Sequence, residues 1–203
     1  MGFGILFFGY FLLLNITYFE FTDVIAGLVM AYALFKISSV SKYFKLPLYL
    51  AIAFSVFGLG ELALGGLDLF RIISLDGMMN YISIVRDVLL CLFTVVLLRA
   101  MIEIGKDLDV TGLPLKCAAL NIWAVIFYVA EICFNTGFLA PLIPSEALNI
   151  IYLVLIVGSL MLPIAVLTAI FSCYRWICLP EDLEKEMQSA SQTENGGKKK
   201  GKK

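Results

Sequence analysis

Residues 148–175, LNIIYLVLIVGSLMLPIAVLTAIFSCYR, run from Leu148 to Tyr174 without one charged side chain before Arg175 closes the stretch. A helix rising 1.5 Å per residue would carry such a segment about 40 Å, beyond a hydrocarbon core of roughly 30 Å. Lipid offers no water to backbone amides and carbonyls, so a spanning segment must satisfy them internally, as a helix does. Pro163 falls inside this helix, where it removes one backbone hydrogen bond and predicts a kink that neighbouring helices accommodate.

The rest of the chain has the same character. Hydrophobic residues make up 61% and charged residues 15% of its 203 positions, against about 45–50% and 25% in soluble domains; mean hydropathy is +0.95. The pattern predicts an all-α, polytopic membrane protein. Six transmembrane helices are expected over residues 3–19, 22–40, 46–66, 82–104, 116–138 and 148–175, within one domain of residues 1–178. Residues 179–203 are expected to form a polar cytoplasmic tail, lysine-rich and disordered toward its end. Its Lys198, Lys199, Lys200, Lys202 and Lys203 are candidates for contact with anionic lipid.

The basic residues set the expected orientation. Lys36, Lys42 and Lys45 follow the second segment, Arg99, Lys106 and Lys116 surround the connection after the fourth, and Arg175, Lys185 and the five terminal lysines follow the sixth. That is thirteen of the 15 Lys and Arg residues, leaving Arg71 and Arg86 for the other side. The bias predicts three helical hairpins with both termini in the cytoplasm. LPLYLA at 46–51 and LPLKCA at 113–118 each open an outward-running helix with a Glu near its far end, a faint internal repeat. Gly27 and the glycines at 58, 60, 65 and 66 suit close approach of helices.

Function classes narrow by absence. With no His in the chain, His-based acid/base catalysis and His-ligated metals are excluded. Neither nucleophile elbow nor P-loop nor dinucleotide fingerprint occurs. No catalytic residue, cofactor or metal is expected, nor binding to nucleic acid. The five cysteines form no C-x-x-C pair and lie in or beside apolar runs, as inert thiols do.

Charged side chains within apolar helices are the informative positions, because each costs roughly 2.5–3.5 kcal/mol at the bilayer centre and turns to a partner or cavity. Glu61 and Glu131 share an expected depth, about 22 Å from the cytoplasmic boundary at 1.5 Å per residue. Tyr128, Glu131 and Asn135 fall on one face of the fifth helix, and Glu61, Gly65 and Asp68 on one face of the third. Arg86 is placed to counter either Glu, and two carboxylates brought together in low dielectric could not both ionise cheaply. These residues, Glu61, Glu131, Arg86, Asn135, Tyr128 and Asp68, are the candidates for binding a small solute, a cation or a proton. The expected function is a small-solute or ion transporter, or the membrane subunit of one, in a plasma membrane, with bacteria favoured. The alternative is a non-catalytic scaffold or sensory subunit whose intramembrane charges fix helix packing. A partner membrane subunit or a homo-oligomer is compatible with either.

Overall fold

The computed structural model describes residues 2–13, 20–39, 41–69, 78–136 and 144–178. The polar tail with its five terminal lysines, Arg71, and most of the connection after the third helix lie outside the described residues.

The described chain is helical: α1 (Gly2–Leu12), α2 (Glu20–Ser38), α3 (Lys45–Leu69), α4 (Met78–Asp107), α5 (Leu113–Asn135) and α6 (Ser145–Cys173). A 3-10 turn, Lys42–Phe44, leads into α3, and a π turn, Tyr174–Cys178, ends α6. Five of the six helices are long and apolar enough to cross a membrane. The exception is α1, whose described 11 residues rise only about 16 Å; the expected continuation through residues 14–19 is outside the described residues. α3 and α4 extend a turn beyond their expected ends at the Leu67–Tyr81 connection, so part of that segment is helix. α6 continues through Pro163.

Proline and glycine punctuate the chain as their backbones dictate. Pro114 sits in the first turn of α5, where an amide donor would have no partner anyway. The link from α4 to α5 is short because Gly112 takes φ 89, a left-handed conformation that costs glycine little. The Val110 amide donates back to the Gly105 carbonyl at 3.0 Å, and Gly105 lies against Pro114 and Leu113. The two helices therefore leave the turn side by side.

Neighbouring helices pack antiparallel. Gly2 lies on Ile37 and Gly9 on Met30, Gly27 on Ser55 and Gly58 on Val24, Gly158 on Phe127, and Gly4 near Tyr174. Each helix packs on the next, and α6 returns to α1, which closes a ring of six. The hairpins expected from the turns are not the tightest units: α2 with α3 and α4 with α5 share the most extensive interfaces. The centre of the ring is apolar, with Leu6, Met30, Leu34, Leu97, Leu98, Met101, Val166 and Ile170 fully buried. Phe3 meets Phe44 edge-on at 5.5 Å between ring centroids. Lipid tails are as apolar as Leu, so shape-matched van der Waals contact holds these helices together. Outward faces such as Leu153, Ile156 and Met161 of α6, each more than 60% exposed, suit hydrocarbon and not water.

Antiparallel packing gathers the charges at two ends. Asp23, Glu61, Asp68, Arg86, Asp87 and Glu131 lie toward one end, called here the acidic end. Lys36, Lys42, Lys45, Arg99, Lys106, Lys116 and Arg175 lie toward the opposite, basic end. At the basic end Glu103 pairs with Lys106 at 3.1 Å.

Candidate functional site

The polar residues of the acidic end are organised by the seam between α4 and α5. On α5, Tyr128, Glu131 and Asn135 share the face turned to α4, as their spacing predicts. α4 answers with Asp87, Cys91 and Thr94, at i, i+4 and i+7, which also share a face. Asn135 Nδ2 donates to Asp87 Oδ2 at 3.1 Å. One heptad deeper on both helices, the Tyr128 hydroxyl is within hydrogen-bonding reach of Thr94. Glu131 and Cys91 occupy the intervening turn of this antiparallel register.

Asp87 is buried at 8% exposure, so its hydrogen bond to Asn135 matters: a buried carboxylate needs donors to replace water. Arg86, its sequence neighbour, points toward α2 and meets Asp23 at 3.9 Å. Both Asp87 and Arg86 act electrostatically on Glu131. Three helices thus supply one cluster: Asp23 from α2, Arg86 and Asp87 from α4, Glu131 and Asn135 from α5. Glu131 is half-buried and Asn135 exposed, so the cluster is not sealed within the described helices.

Beneath it lies a layer of hydroxyls. Tyr10 of α1 and Thr94 hydrogen-bond at 3.1 Å, and Tyr10 is also within reach of Tyr128. All three are buried, Tyr10 at 1%, Thr94 at 0% and Tyr128 at 4% exposure. Each hydroxyl can both donate and accept, so the group satisfies itself without water. Tyr10 stacks on Phe93 at 6.3 Å, and the fully apolar centre of the ring follows.

Of the candidate residues, the structure brings Arg86, Glu131 and Asn135 together around Asp87 and places Tyr128 directly beneath. Glu61 and Asp68 are carried by α3, on the other side of α4 in the ring order, with Asp68 exposed. Glu61 lies one turn toward the acidic end from the contact of Gly58 with Val24, while Glu131 lies one turn toward the basic end from Asn135 and its bond to Asp87. Asp87 and Asp23 stand near the same level in the sequence without being among the candidates, and Thr94 and Tyr10 are not singled out at all. The spacing of Asp87, Cys91 and Thr94 was a usable signal, equal to the one on α5. No group of three or more Cys, Asp or Glu side chains suited to hold a metal ion occurs among the described residues.

The seam ends at Asn121, one heptad below Tyr128. The register there brings Met101, which has no donor, and Asn121 Oδ1 is buried without a hydrogen-bond partner. An orphaned buried acceptor costs about 1–3 kcal/mol. Asn121→Leu is therefore expected to raise stability by about 1 kcal/mol, read as a higher unfolding temperature in detergent. A fall would mean that the amide is bonded after all.

Compared with protein-family models, with curated proteins and with solved structures, the chain matches none.

Proposed function

We propose that this polytopic membrane protein is a transporter of protons or of a small cation, with Glu131 as the exchanging group and Asp87, Arg86 and Asn135 holding it. The observation that carries this reading is the sharing of a single guanidinium: Arg86 acts on Glu131 beside Asp87 and also meets Asp23. Among the described residues one positive charge lies among several carboxylates, an arrangement that favours a cation or a proton. A carboxyl that is only half-buried can exchange a proton with any water that reaches it.

The hydroxyl layer and the apolar centre argue for a carrier over a pore. Leu97, Leu98, Met101, Met30 and Leu34 fill the ring below Tyr10, so passage requires the helices to rearrange around the site. Six spans with the basic end in the cytoplasm would place the cluster on the outer side, following the distribution of Lys and Arg.

A packing role has its own support, since Asn135 with Asp87 and Tyr10 with Thr94 join helices as structural polar contacts do. Two measurements in sealed vesicles separate the readings. A charged methanethiosulfonate reagent applied on the acidic side should modify Cys91, which shares a turn with Glu131. An imposed acid or cation gradient should drive uptake above that of protein-free vesicles. A protected Cys91 together with flux at the protein-free level would assign the network to packing.

A further inference from the structure

At the basic end, the turn between α2 and α3 carries Lys36, Lys42 and Lys45, all exposed. The turn is tight: the Ser41 amide donates to the Ile37 carbonyl at 3.0 Å and the Phe44 amide to the Ser41 carbonyl at 3.3 Å. Buried Phe44 pins it to Phe3 of α1. The lysines are therefore displayed from a fixed backbone.

The neighbouring acids have other partners, although Asp107 lies at Tyr43, beside Lys42. Glu103 is held by Lys106 at 3.1 Å, and the side chain of Asp107 hydrogen-bonds with Tyr43. No described carboxylate pairs with Lys36, Lys42 or Lys45. Two of the three instead cover tyrosine rings, with Lys36 Nζ 4.7 Å from the centroid of Tyr32 and Lys42 Nζ 5.6 Å from that of Tyr43. Tyrosines that present an apolar ring and a polar tip favour the level of lipid headgroups, and lysines snorkel to that level.

We propose that Lys36, Lys42 and Lys45 form a binding surface for the phosphate of an anionic glycerophospholipid. Charge complementarity selects the occupant. The three lysines are exposed where α2 and α3 meet, and a phosphodiester supplies an anion to ammonium groups that no described carboxylate pairs. Its acyl chains can lie along exposed apolar residues of the same two helices, among them Phe35 and Tyr49. The surface is independent of the cluster at the acidic end and holds whether or not the protein transports.

Native mass spectrometry of the full chain in detergent, titrated with phosphatidylglycerol or phosphatidylcholine, tests the proposal. The first phosphatidylglycerol adduct should form well below the concentration needed for phosphatidylcholine. The triple variant Lys36→Gln, Lys42→Gln, Lys45→Gln should weaken it on the order of a hundredfold, as loss of three near-surface basic residues implies. Lys106→Gln with Lys116→Gln, at the same end, should change it less than about threefold if the charges act locally. Equal weakening in both variants would overturn the site in favour of diffuse attraction. An adduct unchanged in the triple variant would overturn it outright. So would an adduct that appears only after Glu181→Gln, Glu184→Gln and Glu186→Gln are introduced together, since the lysines would then belong to the acidic start of the tail.

Discussion

Gly27→Leu is expected to abolish most of the folded protein, whereas Gly60→Leu should leave it unchanged. A Cβ at Gly27 would stand 3.2 Å from both the Cα and Cβ of Ser55, and Gly58 approaches Val24 in the same interface. The nearest obstacle at Gly27 is the Ser55 hydroxyl, and behind it stand Cβ and the backbone Cα of Ser55, which cannot rotate away as the hydroxyl can. Ser55 is itself buried at 2% exposure, with its hydroxyl donating to the Ala51 carbonyl at 2.9 Å. Leucine would have to push α2 and α3 apart along one of the two most extensive interfaces of the ring. Overpacking in a well-fitted core costs about 1–3 kcal/mol and occasionally more; a contact with backbone belongs at the top of that range. In a membrane the loss is not offset by hydrophobic attraction between the helices, because lipid receives their apolar faces equally well. At Gly60 nothing lies within 4 Å of an added Cβ. The check is the yield of monodisperse protein and its unfolding temperature in detergent. Equal stability of the two variants would show that the α2 and α3 contact is not close.

This contrast also shows where sequence is informative. Hydropathy revealed the long helices because an uncharged run of the necessary length has few other uses. Among the described residues, the gathering of Lys and Arg toward one end was also legible. Which glycine sits in a helix contact was not, since Gly27 and Gly60 both lie in apolar helices and only the azimuth of each separates them. The same limitation governs the site. Glu61 and Glu131 drew attention because carboxylates are costly in lipid, and depth along the helix can be counted. Depth does not give ring order, and the two carboxylates sit on α3 and α5, which both pack on α4.

Asp87, Cys91 and Thr94 mirror Asn135, Glu131 and Tyr128 along the seam, yet Cys and Thr pass for ordinary core residues when read singly. Asp87, adjacent to Arg86, reads as half of a local charge pair, although the two side chains turn to different helices. Tyr10 was hidden for another reason. In an aromatic-rich first segment nothing in its spacing distinguishes a hydroxyl that reaches Thr94 from residues that face lipid. A polar stripe on one helix predicts a complementary stripe on its neighbour, and searching α4 for that spacing would have found the seam.

Glu131→Gln should reduce gradient-driven uptake to the level of protein-free vesicles while changing stability by less than about 1 kcal/mol. Glutamine preserves the length and planarity of the side chain, so the packing of α5 against α4 should persist. It can neither release a proton nor carry a negative charge, which removes the exchanging group and leaves Arg86 to Asp87 and Asp23. The companion variant Arg86→Gln acts in the opposite direction. It leaves Asp23, Asp87 and Glu131 without the guanidinium they share, and removing one partner from a half-buried charge network destabilises by exposing the others to uncompensated desolvation. Arg86 retains 38% side-chain exposure, so water screens part of that penalty. If the cluster exists for transport, flux is lost in Glu131→Gln with little change in unfolding temperature, and adding Glu131→Gln to Arg86→Gln recovers stability without recovering flux. If the charges only lock helices, Glu131→Gln alone lowers the unfolding temperature, and flux stays at the protein-free level in every variant, the native chain included. The double-mutant cycle therefore separates the energy that Glu131 contributes to packing from the proton it is proposed to carry.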